Sequence, residues 1–287
     1  MKKGYILLIS AEFFFAAATV FAKFATTNTD IPALEATFMR FFLGFIITWM
    51  GMRHEQLSFK PNNVKLVGAR VFFNTIAVIL FFLSVKYTTI TNANMLNMTY
   101  PVFMLFLAPW LLKEKVAGKQ YLFLLIAMIG IALVVHPDFH AINIGDLYGL
   151  LSGATGAVAI ASLRIARKYD STHIIIFYLM GIGALINAIL LIPSFVMPTW
   201  WQFLWLSVSG LLGYVGQVFL TAGYRYVDAT KGSMLSSSRI IFAFFLGVLI
   251  FSEPFAWPII TGIVLIVFAI IGVTRPSAIF IKQLSRK

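Results

Sequence analysis

Ten stretches of mostly apolar residues, parted by short polar segments, run along the chain. Each residue of a helix adds ~1.5 Å, so about 20 of them cross a hydrocarbon layer roughly 30 Å thick. The stretches run from Gly4 to Ala25, Pro32 to Met50, Leu66 to Val85, Thr91 to Leu112 and Gly118 to Val135, then from Gly145 to Leu163, Thr172 to Ile192, Trp201 to Ala222, Gly232 to Phe251 and Trp257 to Thr274. Membrane barrels show short segments that alternate apolar and polar, and continuous apolar runs of this length do not fit them. The pattern predicts an all-α integral membrane protein with ten transmembrane helices. Met1, Lys2 and Lys3 ahead of an apolar run also suit a signal peptide, but Glu12 interrupts that run.

Composition supports this class. Of the 287 residues 60% are hydrophobic and 11% charged, too little charge to clothe a water-facing surface or keep a chain disordered. The net charge of +12 would raise the question of nucleic acid in a soluble protein; here its distribution gives another answer. With both termini cytoplasmic, the inner segments collect Lys2, Lys3, Arg53, Lys60, Lys65, Lys113, Lys115, Lys119, Arg164, Arg167, Lys168, Arg225, Lys231 and the basic tail, while the outer loops hold Lys23 and Lys86. This is a positive-inside pattern facing anionic lipid, and no nucleic-acid partner is expected. The chain has no cysteine, and His54, His136, His140 and His173 lack ligand spacing, so no metal site or cofactor is expected.

The chain also repeats. Phe82, Leu83 and Tyr87 recur as Phe219, Leu220 and Tyr224. Met95, Leu96, Phe103, Phe106, Leu107, Glu114 and Pro137 recur as Met234, Leu235, Phe242, Phe245, Leu246, Glu253 and Pro276. Two halves follow, residues 1–140 and 141–287, with five helices each. Five is odd, so the second half is expected to enter the membrane from the opposite side. Inverted halves that exchange conformations turn an inward-facing cavity into an outward-facing one, as alternating-access carriers do.

With its paired five-helix halves, Phe21-Ala22-Lys23 ending the first helix, Arg40 in the second, Tyr100-Pro101-Val102-Phe103 with Glu114 downstream, and Gly130 in the fifth, the chain resembles the drug/metabolite transporter superfamily, in its ten-helix EamA-like branch. The resemblance spans essentially the whole chain. Ile240 and Arg239 stand where Pro101 and Tyr100 would repeat, so the halves differ chemically. The resemblance implies an inner-membrane carrier, importing or exporting amino acids, related metabolites or drugs.

Ionised groups inside spans are costly, at least ~2.5 to 3.5 kcal/mol each near the bilayer centre, and should face a cavity or a partner. Glu12 reads either as a protonatable site or ammonium holder, or as a structural ion pair with Arg40 or Arg239. Its position after Ala11 is similar to the first-helix Glu of the small multidrug resistance proteins, though Lys23 lies farther along here. Arg40 suits bidentate capture of a carboxylate or phosphate, or a scaffold pairing with Glu35. Arg239 follows Ser236, Ser237 and Ser238 and is expected to line a cavity. Arg70 is shallower and could snorkel to the cytoplasmic interface.

Polar residues form stripes at helical spacing: Asn94, Asn97 and Pro101; Arg70 and Asn74, with Phe81 on a broadly similar face; and Gly210, Gly213, Tyr214, Gln217 and Thr221. Each stripe serves either a site or interhelical hydrogen bonding. Tyr100 and Tyr214 lie within spans with hydroxyls that need partners. Trp200, Trp201 and Trp257 read as an interfacial belt.

The expected site therefore comprises Glu12, Arg40, Asn74, Asn94, Asn97, Tyr100, Tyr214, Gln217 and Arg239. The expected function is secondary active transport of a small polar, amino-acid-like metabolite, by a monomer or dimer, with proton coupling open. The alternative is a proton-coupled exporter of cationic drugs centred on Glu12. No Walker-type phosphate loop, catalytic cluster or nucleophile with its base is visible, so no enzyme is expected.

Overall fold

Polar breaks divide two of the ten expected spans, giving twelve α-helices among the described residues. The structure is a computed structural model and describes residues 2–27, 29–87, 90–135, 143–251 and 257–274, without the side chains of 82, 85, 86, 90–92 and 94. The helices are α1 (Lys2–Thr26), α2 (Ala33–His54), α3 (Val64–Tyr87), α4 (Ile90–Asn97), α5 (Tyr100–Leu107) and α6 (Gly118–Val135), followed by α7 (Ile144–Ala166), α8 (Thr172–Leu191), α9 (Trp200–Gly223), α10 (Ala229–Leu235), α11 (Ser238–Phe251) and α12 (Trp257–Thr274). Among the described residues nine helical segments are long and apolar enough to cross a membrane, and Gly118–Val134 is a shorter apolar helix. No strand occurs among them.

Helices α7, α8 and α9 begin at side-chain caps that satisfy otherwise orphaned N–H groups. Asn143 accepts from Gly145 N at 2.7 Å while Asp146 accepts from Asn143 N at 2.9 Å. Thr199 and Gln202 reciprocate in the same way at the start of α9. Ser171 accepts from Ile174 N at 3.3 Å to start α8.

The fourth and ninth spans are each broken at a corresponding place. α4 ends at Asn97 and α5 starts at Tyr100. Pro101 cannot donate to the Asn97 carbonyl, and the chain tightens instead, with Thr99 N on Leu96 O at 3.1 Å and Thr99 Oγ1 on the same oxygen at 2.6 Å. In the ninth span a serine run replaces the proline. Ser236 N and Ser237 N bond three residues back, to Ser233 O and Met234 O, both at 3.2 Å. Serine offers the backbone alternatives to helical pairing, which suits such a break. The fourth span ends in a wide π-turn over Ala108–Leu112, which contains Pro109. Lys113 then adopts a left-handed conformation (φ 54°), which turns the chain and delivers Glu114.

The strongest helix packings all join the first half to the second. α1 lies on α9 and α11, and α3 and α4–α5 lie on α7. α2 packs on α8 and α9, α3 on α8, and α6 on α12. Exchanging the two halves maps these pairings onto one another. Small residues permit the close crossings: a Cβ on Gly153 would lie 2.9 Å from Leu96 O, and one on Gly262 only 2.5 Å from Gly130 O. Trp200, Trp201 and Trp257 are exposed, 73%, 65% and 81% respectively.

Candidate functional site

A cavity of about 390 Å³ opens where α1, α2, α3, α7, α9 and the two broken spans converge. Its wall includes Glu12, Phe15 and Thr19 of α1, Arg40 of α2, Arg70, Asn74 and Phe81 of α3, and Asn97 and Tyr100 beside the first break, together with Gly156 and Ile160 of α7, Gln217 of α9 and Arg239 beside the second break. Tyr100 and Arg239, expected from the sequence to correspond, both line this one cavity. Breaking a helix frees backbone groups that are tolerated at membrane depth when they line such a space.

Glu12 is fully buried. Both Nε and Nη2 of Arg239 lie 2.7 Å from its Oε2, while Oε1 has no hydrogen-bond partner among the described residues. Arg239 also lies over the Phe15 ring at 4.7 Å, and Arg40 over the same ring at 5.2 Å. One aromatic side chain therefore contacts both guanidiniums, a favourable arrangement for cations beside a π face.

Arg40 donates to Gln217 Oε1 at 3.4 Å, and Gln217 is steadied by its own bond to Thr221 at 3.3 Å. The expected partner Glu35 is elsewhere, accepting from Val196 N at 2.9 Å. Gly213 leaves room for Arg40, since a Cβ there would stand 2.6 Å from Arg40 Cδ. Asn97 donates to Ser152 at 2.7 Å, and Ser152 in turn donates to Ala77 O at 2.8 Å.

Seven of the nine expected site residues line this cavity: Glu12, Arg40, Asn74, Asn97, Tyr100, Gln217 and Arg239. Tyr214 does not, because its hydroxyl accepts from Thr48 at 3.2 Å between α2 and α9. The side chain of Asn94 lies outside the described residues. Arg70 corrects its expectation: it does not snorkel to an interface but is 2% exposed on the cavity wall. Phe81, expected on a face broadly similar to that of Arg70 and Asn74, lines the cavity with them, whereas Phe15 was missed; in a chain with 29 phenylalanines the residue type alone carries no signal.

The cavity runs from Arg70 and Glu12 toward Thr19 and Phe81, away from the end where α1 and α3 begin. That end is shut. Glu114 Oε1 lies 3.3 Å from Arg164 Nε, and both its oxygens accept from Ala229 N at 3.2 and 2.9 Å. Arg164 also donates to the carbonyls of Tyr224 and Arg225 at 2.9 and 3.0 Å and reaches Asp228 at 3.6 Å. Burial raises the Glu114 carboxyl above its usual range against the opposing effects of the Ala229 N–H and Arg164. A second, mostly apolar cavity of about 350 Å³ adjoins the first at Thr19, between α1, α11 and α12.

A polar, charged cavity among membrane-length helices fits a membrane transporter of small molecules. Sequence comparison agrees: the EamA-like transporter family model matches residues 2–136 and again 143–275. The chain belongs to this family, within the drug/metabolite transporter superfamily. It is 26% identical over 277 residues to the pseudopaline exporter CntI of Pseudomonas aeruginosa, covering 96% of this chain and 97% of that protein. It is 24% identical over 292 residues to mouse solute carrier family 35 member G1, covering 94% and 78%. A solved structure matches with a TM-score of 0.80 at 16% identity, over 96% of this chain and 97% of the other, a likeness of fold.

Proposed function

We propose that this transporter is a secondary carrier that moves a small polar, amino-acid-like solute with a carboxylate across the bacterial inner membrane by alternating access. Arg40 carries the reading: it lines a cavity between the halves, and among the described residues no carboxylate lies within ion-pair distance of it. A guanidinium so placed suits a planar carboxylate through two parallel hydrogen bonds. The Oε1 of Glu12, without a hydrogen-bond partner among the described residues, suits the solute's ammonium. Two matches to one family model and packings that map onto each other support duplicated halves, and the odd helix number per half supports their inversion.

The alternative, a proton-coupled exporter of cationic drugs, draws on that same free oxygen. Against it stands the guanidinium of Arg239, which already neutralises Glu12. Export is the direction named for the Pseudomonas relative. Counterflow in proteoliposomes, with labelled amino acids or cations and an imposed pH gradient, separates the readings. Amino-acid counterflow abolished by Arg40→Ala supports the carrier proposed here. Cation movement that survives Arg40→Ala and is lost in Glu12→Gln establishes the exporter instead.

A further inference from the structure

We infer that the transported solute carries two acid groups, one held by Arg40 and the other by Arg70. This rests on the anion-binding reading of the same cavity and narrows its substrate class. Three guanidiniums and one carboxylate line the cavity. Glu12 and Arg239 cancel each other, leaving two positive charges. Among the described residues neither Arg40 nor Arg70 has an ion-pair partner, and the Nε of each is buried without a hydrogen-bond partner. The one hydrogen bond recorded for Arg40 is long, 3.4 Å to a neutral amide.

An uncompensated buried guanidinium is costly, more so within a bilayer. Its forked donors are best answered by a carboxylate or another planar oxyanion. One carboxylate answers one arginine, and the second would remain buried and unpaired. The two arginines project from different helices, α2 and α3, and each presents its own fork to the cavity, so a solute with two acid groups is suited to answer both. Asn74, Asn97 and Tyr100 share the wall and offer neutral donors and acceptors to the solute's middle. The class is a small dicarboxylate, including amino acids with an acidic side chain.

Thermal protection of the purified, full-length protein tests this with succinate and L-glutamate as two-acid probes, butyrate and L-alanine as one-acid probes and L-lysine as a cationic one. The two-acid probes are expected to raise the melting temperature at about tenfold lower concentration than the one-acid probes, since each charge-assisted contact adds affinity of that order. Arg70→Gln is expected to erase this advantage. Arg70→Lys keeps the charge but loses the fork, and is expected to shrink the advantage even where Arg70→Gln fails to fold. Equal protection by one-acid and two-acid probes, or an advantage undiminished in both variants, overturns the inference while leaving the anion site standing. Protection by L-lysine alone, or by none of these probes, overturns the anion reading itself and this inference with it.

Discussion

Glu12 and Arg239 meet through a single oxygen. Two guanidinium nitrogens converge on Glu12 Oε2 at 2.7 Å, and Oε1 stays buried without a partner among the described residues. The pair joins the first helix to the break in the ninth span, so it is both a structural tie and part of the cavity wall. Removing one member strands the other. Glu12→Gln or Arg239→Gln alone is expected to cost about 3 kcal/mol, at the lower end for broken buried pairs because Arg239 is partly exposed. The double variant is expected to be more stable than the additive sum, by an interaction energy of ~1 to 3 kcal/mol. Melting or denaturant titration of the four proteins checks this, and additivity would contradict it.

Gly213 is expected to act through Arg40. A Cβ at Gly213 falls 2.6 Å from Arg40 Cδ, a flexible atom that must shift. Gly213→Ala should therefore lower apparent solute affinity by up to about tenfold, the value of one well-placed charged hydrogen bond, with little loss of stability. The concentration dependence of counterflow measures it; unchanged affinity would show that Arg40 does not need that groove.

Gly153 faces the break of the fourth span at backbone distance. A methyl there would meet Leu96 O at 2.9 Å and Thr99 Oγ1 at 2.8 Å, and a backbone oxygen has little freedom to yield. Gly153→Ala is expected to destabilise the protein by roughly 1 to 3 kcal/mol, the usual cost of overpacking, read as a lower melting temperature.

At the shut end the Glu114 carboxyl is raised above its ordinary value of 4.5, chiefly by burial. The folded state thus holds this proton more tightly than the unfolded one. Its contribution is fully present below the ordinary pKa and is lost as pH rises through the raised value. Relative to Glu114→Gln, which does not titrate, the wild type should lose melting temperature as pH climbs through that window. A difference that instead grows with rising pH would show that the Arg164 and Ala229 contacts outweigh burial.

The spans were legible because long apolar runs leave few other structures in a bilayer. Seven of the nine expected site residues meet in one cavity because charge and amide groups inside such runs must face something polar. The helix breaks were less legible. Pro101 marked one, but the other rests on three serines that also suit an unbroken helix interface. Arg70 was placed by its short distance from the start of the span. What decides its position is lateral: α3 packs along α7, which turns Arg70 to the interior. Tyr214 shares a stripe with Gln217, yet its bond to Thr48 holds it between helices, a distinction periodicity does not make.

Under the proposed mechanism one cavity opens alternately to the two sides. The protein lacks cysteine, so single cysteines can be placed on it without background. Thr19→Cys reports the exposed cavity mouth and Thr230→Cys, 1% exposed beside Ala229, the shut end. Labelling by a membrane-impermeant thiol reagent, applied from each side during counterflow, is predicted to be reciprocal: conditions that speed reaction at one position slow it at the other. Both positions reacting together, or Thr230→Cys staying inert while flux proceeds, would contradict alternating access.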